Sequence, residues 1–175
     1  MTSALITGIS GQDGSYLAEH LLDQGYEVWG MRHRHDNPQT GHALRDVRIV
    51  AGDLLNHDSL LSAIDRAQPD EIYNLAAITY APHCWQRPEL SSKVNGFGAL
   101  SVLDAVRSCT ERGSQVRVFQ ASSAEIFGRA APGTRQTEDT PLRPCTPYGS
   151  AKAYGHMTTQ SHRQTYGMFA VSGIL

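Results

Sequence analysis

The sequence Ala4-Leu5-Ile6-Thr7-Gly8-Ile9-Ser10-Gly11-Gln12-Asp13-Gly14 joins a short apolar run to three glycines in the spacing GxxGxxG. The first glycine permits a tight turn, the second admits a pyrophosphate, and the third lets a helix pack closely on the strand. The free N–H groups at the start of that helix would face the phosphates. The stretch therefore predicts a strand, a turn and a helix whose dinucleotide-binding residues are Gly8, Ser10, Gly11, Gln12, Asp13 and Gly14.

Short apolar runs and segments of helical period alternate along the rest of the chain, which is typical of a parallel sheet covered by helices. Strands are predicted at residues 4–7, 27–31, 47–51, 71–75, 115–121 and 169–174, and helices at about residues 15–24, 59–67, 88–108 and 147–166. Asp58 is the predicted cap of the second helix, and Gly25 and Gly167 stand at predicted helix ends. The predicted fold is α/β, a doubly wound parallel sheet of the Rossmann type.

Composition narrows the class of protein. The 175 residues fit one domain, and a net charge of -2 gives no broad basic field, so nucleic acid is not an expected partner. Cys84, Cys109 and Cys145 form no CxxC pair, which argues against disulfides and a zinc site. No apolar run is long enough to cross a membrane, and the N-terminus lacks a basic start and a cleavage site. We expect a cytoplasmic protein without membrane contact.

The end of the second predicted strand indicates which dinucleotide is bound. NAD calls for an acidic residue there, but the sequence is Gly30-Met31-Arg32-His33-Arg34. Arg32 and Arg34 can pair with a ribose 2′-phosphate, so the sequence favours NADP over NAD. A solvated basic loop is the alternative interpretation, because Asp36 follows closely.

Two further strand ends are predicted to contact the cofactor. Asp53 and Leu54 follow the third strand, where Asp53 is placed to touch the adenine; capping of the next helix is the alternative. The fourth strand ends in Leu75-Ala76-Ala77, whose small residues leave room for a cofactor across the sheet edge.

The candidate catalytic pair is Tyr148 and Lys152, which lie four residues apart at the start of a predicted helix and so share one face. A tyrosine has a pKa of about 10 and is a poor base, but an adjacent ammonium and a positive nicotinamide ring favour its phenolate. Lys152 can also hold the nicotinamide ribose. The pair predicts proton and hydride transfer at a hydroxyl-bearing carbon.

The fifth predicted strand runs into Gln120-Ala121-Ser122-Ser123-Ala124-Glu125, at the edge where open α/β sheets place their chemistry. Ser123 can hydrogen-bond the hydroxyl that Tyr148 would deprotonate. Glu125 has no role in simple hydride transfer, but it can act as a general base for a C–H proton. The alternative is a surface glutamate at a strand end.

With these motifs the chain resembles the extended short-chain dehydrogenase/reductase family and, within it, the GDP-mannose 4,6-dehydratases. The similar stretches are residues 4–19, 71–75, 119–122, 146–149 and 166–175. The glycine turn and the Tyr148/Lys152 pair indicate the superfamily, whereas Ser123-Ala124-Glu125 and the closing stretch indicate the dehydratases. The resemblance implies a hydro-lyase of nucleotide-sugar metabolism whose substrate is GDP-mannose and whose cofactor is NADP.

By position, the resemblance also implies roles. Tyr148 takes the C4 hydroxyl proton as NADP oxidises C4, Lys152 supports it electrostatically, and Ser123 contacts the C4 hydroxyl. Glu125 removes the C5 proton, water leaves C6, and C6 is then reduced. The resemblance further implies a homo-oligomer, a dimer or a tetramer.

Several features depart from the family pattern. Ser123 stands where threonine is usual, the loop after Arg34 is shorter, and residues 78–85 differ from the Gln-Ser-His-Val type of run expected near the sugar. The chain also stops inside a predicted strand. We therefore expect residues 1–175 to be the NADP-binding domain, with a sugar-nucleotide-binding domain after residue 175.

Other functions remain open at this point. An NDP-sugar 4-epimerase shares the fold and the Tyr148/Lys152 pair but commonly has a small residue at the position of Glu125. A dehydratase acting on a UDP- or dTDP-sugar is a second alternative, although the dTDP-glucose type would carry an acid at Ala124. A non-catalytic NADP-binding module is a third. Metal catalysis is disfavoured, because its candidate ligands lack a known spacing, these being His33, His35, His83 and Cys84.

Overall fold

A computed structural model describes residues 1–34 and 44–175 of the chain. Its strands are β1 (Ser3–Thr7), β2 (Glu27–Arg32), β3 (Arg48–Ala51), β4 (Glu71–Asn74), β5 (Arg117–Ala121) and β6 (Ala170–Gly173). Its helices are α1 (Gln12–Asp23), α2 (His57–Ala67), α3 (Ala81–Gln86), α4 (Pro88–Ser92), α5 (Gly98–Glu111) and α6 (Pro147–Tyr166). A π-helical turn, Lys93–Phe97, joins α4 to α5, and a 3-10 turn, Ala124–Phe127, follows β5.

The six strands form one parallel sheet in the order β3-β2-β1-β4-β5-β6. β1 lies at the centre, where Leu5 pairs with Trp29 of β2 on one side and Ile72 of β4 on the other. The strand order therefore reverses direction between β1 and β4, which is the point where doubly wound folds bind their ligands. The predicted doubly wound parallel sheet is confirmed.

Alternate residues of β1 pack into different layers, as the pleat of a strand requires. Leu5 belongs to the apolar layer that also holds residues of α2 and α5, whereas Ala4 and Ile6 belong to the layer under α1. All three side chains are buried. Because both faces are covered, β1 needs the continuous apolar run that the sequence shows.

Four predicted details differ from the structure. Asn56, not Asp58, caps α2, since its side chain accepts the backbone N–H of Ser59 at 2.9 Å. α1 begins at Gln12, three residues before the predicted start, because the extended Gly11 already opens the helix. The predicted helix over residues 88–108 is present as three consecutive pieces, and α3 was not predicted. No helix in the described part of the chain is long and apolar enough to cross a membrane.

Candidate active site

A cleft of about 750 Å³ opens along the carboxyl ends of the central strands. Pockets of this size are typical of small-molecule and cofactor sites. The cleft is lined by eleven of the predicted cofactor residues, namely Gly8, Ser10, Gly11, Gln12, Asp13, Gly14, Asp53, Leu54, Leu75, Ala76 and Ala77. The structure thus brings together the glycine turn and the ends of β3 and β4. Arg32, Arg34, Tyr148 and Lys152 are not part of its lining.

Two positions of the turn must be glycine, because neighbouring backbone atoms leave no room for a Cβ atom. Gly8 has a φ of 71°, and a Cβ atom there would lie 2.8 Å from the backbone of Ala76. A Cβ atom on Gly14 would lie 2.4 Å from the carbonyl oxygen of Gly8. Any side chain at these two positions would therefore push the turn away from the strand beside it or the helix after it.

The first turn of α1 supplies backbone donors to the cleft. Gly11 precedes the helix in an extended conformation, and no side chain caps the helix there. An uncapped helix start exposes N–H groups and the positive end of the helix dipole, both of which attract phosphate. The glycine cradle, this helix start and the size of the cleft fit a dinucleotide.

Within the basic stretch at the end of β2, His33 lines the cleft. Its Nε2 atom lies 3.7 Å from Oδ2 of Asp53. Met31 lines the cleft as well. Sequence reasoning chose Arg32 and Arg34 and missed His33. Asp36, on which the solvated-loop alternative rests, and His35, one of the candidate metal ligands, lie outside the described residues.

The Asp53 side chain turns back on its own loop, where Oδ1 accepts the backbone N–H of Leu55 at 2.9 Å. The helix-capping alternative for Asp53 is therefore wrong, because Asn56 is the residue that caps α2. An adenine contact from the cleft-lining Asp53 remains a prediction.

A ladder of buried hydrogen bonds crosses the ends of three strands. The Thr7 hydroxyl donates to Oδ1 of Asn74 at 2.6 Å, and Nδ2 of Asn74 donates to Oε1 of Gln120 at 2.6 Å. Nε2 of Gln120 then donates to the carbonyl oxygen of Ala121 at 3.0 Å. That carbonyl also accepts Nζ of Lys152 at 2.8 Å. Sequence reasoning missed these polar residues, although each lies at or next to the carboxyl end of its strand.

Lys152 is buried, with 4% of its surface exposed. Burial lowers the pKa of its ammonium from 10.5 to about 8, because a charged group loses hydration inside the protein. Nζ lies 5.7 Å from the centre of the Tyr148 ring, so the predicted pair is brought together on one face of α6.

Tyr148 is half-buried, and burial raises the pKa of its phenol above the ordinary value. A hydrogen bond from Ser123 opposes that shift, whereas Glu125 and Cys84 add to it. The expected effect of the adjacent ammonium together with the nicotinamide ring on the phenolate stays a prediction. The effect of Ser123 on this pKa indicates that its hydroxyl lies near the phenol.

Glu125 lies on the 3-10 turn directly after β5, with its carboxylate exposed. Ser123 caps that turn by accepting the backbone N–H of Glu125 at 3.2 Å. Oε2 of Glu125 accepts the hydroxyl of Thr146 at 2.7 Å, and Thr146 caps α6. The four predicted catalytic residues thus form one group built from the end of β5 and the start of α6, and Thr146 is a member that sequence reasoning missed.

One wall of the cleft is held by Asn95, a buried residue of the π-helical turn. Its Oδ1 accepts the backbone N–H of Ile78 at 2.8 Å, and its Nδ2 donates to the carbonyl of the same residue at 2.9 Å. Ile78 lines the cleft. The π-helical turn therefore holds the segment after β4 through the N–H and the carbonyl of Ile78.

The arrangement offers two different proton acceptors beside a dinucleotide cleft. Tyr148 and Ser123 suit a hydroxyl group, and Glu125 suits a proton on a neighbouring carbon. Among the described residues, no three His, Cys, Asp or Glu side chains are grouped as a metal site would need.

Comparisons with known proteins agree with this geometry. The family model described as GDP-mannose 4,6 dehydratase matches residues 5–175. The human GDP-mannose 4,6 dehydratase is 41% identical over 98% of this chain and 49% of its own length. GDP-mannose 4,6 dehydratase 2 of Arabidopsis thaliana is 42% identical with the same coverage. The chain spans about half the length of the curated relatives it matches.

Solved structures share the fold. UDP-glucose 4-epimerase from Thermus thermophilus, in complex with NAD, matches with a TM-score of 0.83 and 30% identity over 97% of this chain and 53% of that one. UDP-glucose 4-epimerase from Brucella ovis, also with NAD, matches with a TM-score of 0.85 and 27% identity over 99% of this chain and 51% of that one.

Proposed function

The chain belongs to the GDP-mannose 4,6-dehydratase family, and from that premise we propose that the full-length protein is a hydro-lyase that converts GDP-mannose to GDP-4-keto-6-deoxymannose and water. The observation that carries the proposal is the position of Glu125 in the same group as Ser123, Tyr148 and Lys152. Two proton acceptors are needed for loss of water, whereas oxidation or epimerisation at one carbon needs a single one.

We propose NADP as the cofactor, with NAD as the weaker alternative. The glycine cradle and the start of α1 would hold the pyrophosphate. Arg32 and Arg34, which flank the cleft-lining His33 in sequence, would supply the cations for the ribose 2′-phosphate. Structural relatives with NAD support a nicotinamide cofactor in this cleft. When bound, the nicotinamide supplies oxidation at C4 and reduction at C6.

Tyr148 performs the first proton transfer, accepting the proton of the C4 hydroxyl at its phenolic oxygen. Ser123, which lies near the phenol, orients the substrate hydroxyl. Lys152 keeps a positive charge close to the phenol and can hold the nicotinamide ribose. The product of this step is a ketone at C4, which makes the proton on C5 acidic.

Glu125 performs the second proton transfer. Its carboxylate accepts the C5 proton, the C6–oxygen bond breaks, and the departing hydroxide takes a proton to leave as water. Protonated Glu125 is the group that supplies that proton, and protonated Tyr148 returns its own to C5 after C6 is reduced. Both side chains therefore end in the state in which they began, and the net change is the loss of one water.

A 4-epimerase is the second candidate, because solved UDP-glucose 4-epimerases share the fold. Glu125 distinguishes the two, since an epimerase needs no base at C5. Incubation of the full-length protein with GDP-mannose and NADP⁺ separates them by product mass. The dehydratase product is lighter than the substrate by one water, and an epimer has the same mass.

We also propose a homo-oligomer, a dimer or a tetramer, that works in the cytoplasm. Phe97 and Tyr154 contact each other at 5.4 Å between ring centres on neighbouring helical segments, and both are exposed together with Met157. An exposed apolar patch of this kind supports a protein contact. The three cysteines are free thiols, which supports a reducing compartment. Sedimentation of the full-length protein tests its oligomeric state.

Recognition of the sugar nucleotide is proposed to need more than residues 1–175. We propose that these residues form the NADP-binding domain and that base and sugar contacts come from a further domain of the full-length protein. The relatives support this division, because the chain matches about half of their length. The proposed partners are thus a nucleotide sugar and a second copy of the chain, without nucleic acid or membrane.

A further inference from the structure

We propose that Thr146 is a positioning residue for Glu125, whose hydroxyl holds one carboxylate oxygen so that the other faces the substrate. The inference rests on the proposed dehydratase function and adds to it the residue that orients the second base. Its starting point is the hydrogen bond from Thr146 to Oε2 of Glu125, across 21 residues of sequence.

The direction of this hydrogen bond follows from the other contact of the same hydroxyl. Oγ1 of Thr146 lies 2.9 Å from the backbone nitrogen of Gly149, whose N–H can only donate. The hydroxyl therefore accepts from Gly149 and has its single proton left for Glu125. An ionised carboxylate can only accept, so both contacts are satisfied together.

The backbone around this pair is closely packed. A Cβ atom on Gly149 would lie 2.7 Å from the carbonyl oxygen of Glu125, so only a glycine lets the first turn of α6 approach the 3-10 turn this closely. The turn is also held by a hydrogen bond from the Arg143 N–H to the carbonyl of Ile126 at 3.0 Å. With the backbone fixed, rotation of the exposed Glu125 side chain is the freedom that remains, and Thr146 restricts it.

This restriction matters because a general base must lie within hydrogen-bond reach of the proton it removes. Holding Oε2 leaves Oε1 as the oxygen available to the substrate. Thr146 stands two residues before Tyr148, so the helix start that places the first base also orients the second. The two proton acceptors are thereby fixed relative to one sugar ring.

The test separates the two chemical steps in the full-length protein. In Thr146→Val the hydroxyl is lost, and we expect C5 deprotonation and water loss to slow about tenfold, in line with the loss of a hydrogen bond to a charged group. Oxidation at C4 should proceed as before. After rapid mixing with GDP-mannose and NADP⁺, the absorbance of the reduced nicotinamide should therefore accumulate, and Thr146→Ser should remove that accumulation.

Two further variants separate positioning from helix capping. Glycine is nearly as good as threonine at the start of a helix but has no hydroxyl, so Thr146→Gly should show the elimination defect with little change in melting temperature. Thr159→Val is the matched control, because it removes a buried hydroxyl bond to the Gly155 carbonyl in the same helix, away from Glu125. It should leave the ratio of the two steps unchanged.

Each outcome bears on one claim. Equal slowing of oxidation and elimination in Thr146→Val, or wild-type elimination in both Thr146→Val and Thr146→Gly, would overturn the positioning role alone. A wild-type protein that oxidises GDP-mannose without ever losing water would overturn the proposed function, and the role of Thr146 would fall with it. Accumulation in the valine and glycine variants with rescue by serine supports both.

Discussion

Nζ of Lys152 donates to the carbonyl oxygen of Ala121 at 2.8 Å, and this contact ties the buried ammonium to the end of β5. The same carbonyl accepts Nε2 of Gln120 at 3.0 Å. The hydrogen bonds that begin at Thr7 beside the glycine turn thus extend through Asn74 and Gln120 to the carbonyl that binds Lys152. Lys152 is held in place at the expense of its hydration.

The first prediction is that Lys152→Met stabilises the fold and abolishes turnover. The pKa of Lys152 falls from 10.5 to about 8 on folding, and each unit corresponds to about 1.4 kcal/mol. An apolar side chain avoids that cost, and the Ala121 carbonyl keeps its bond from Gln120. We expect the free energy of unfolding at pH 7 to rise by about 1 to 3 kcal/mol, measured by urea denaturation. A destabilised methionine variant would contradict this.

The same residue predicts a pH dependence of stability. Between pH values of about 8 and 10.5 the unfolded lysine still binds a proton that the folded lysine has lost. The unfolded state therefore binds more protons in this window, and the stability contributed by this group rises with pH. The difference in unfolding free energy between Lys152→Met and the wild type should shrink over that range. A constant difference would show that Lys152 is not the titrating group.

The second prediction concerns Glu125→Gln in the full-length protein. The amide cannot accept the C5 proton, but Tyr148 and Ser123 are untouched, so oxidation at C4 should continue while dehydration falls at least a hundredfold. Rapid-mixing absorbance and product mass report the two steps separately. Glu111→Gln, on the exposed end of α5, is the matched control and should dehydrate normally. Unchanged dehydration in Glu125→Gln would remove this residue from the mechanism.

The third prediction tests the glycine cradle. Gly14→Ala places a Cβ atom 2.4 Å from the Gly8 carbonyl oxygen, so the turn must shift. We expect a loss of about 1 to 3 kcal/mol in unfolding free energy and at least a tenfold weaker binding of NADP⁺ by calorimetry. Gly96→Ala, whose Cβ meets nothing closer than 3.4 Å, should keep the affinity. Equal affinities in the two variants would argue against a cofactor at this turn.

The fourth prediction concerns cofactor choice. If the basic residues at the end of β2 bind the 2′-phosphate, the wild type should bind NADP⁺ at least tenfold more tightly than NAD⁺. The double variant Arg32→Ala/Arg34→Ala should bind NADP⁺ more weakly and NAD⁺ with unchanged affinity. The variant His33→Ala tests the cleft-lining side chain separately. A wild type that binds both dinucleotides equally would reject the preference for NADP.

Local patterns were sufficient to predict most of the fold. The glycine turn, the apolar runs and the helical periods each depend on neighbours in sequence, and every predicted strand lies within two residues of an observed one. α3 was missed because six residues are too few to show a helical period. The true cap of α2 was missed because Asn56 and Asp58 are both acceptable caps, and only the geometry chooses between them.

The site was predictable where spacing alone brings residues together, as for Tyr148 and Lys152 on one face of α6. Which side chain at the end of β2 lines the cleft depends on the folded path of the backbone, and His33 lines it whereas Arg32 and Arg34 do not. The contact between Thr146 and Glu125 joins two segments that meet only after folding. No pattern in either segment predicts this contact, and sequence reasoning stopped at the four candidate catalytic residues.

Parallel incubation with three nucleotide sugars tests the proposed dehydratase activity and its substrate together. The full-length protein should be incubated with NADP⁺ and, in parallel, with GDP-mannose, UDP-glucose and dTDP-glucose, and each product weighed by mass spectrometry. We predict that GDP-mannose alone gives a product lighter by one water, the 4-keto-6-deoxy sugar. Turnover of the UDP- or dTDP-sugar with GDP-mannose left intact would contradict the assignment.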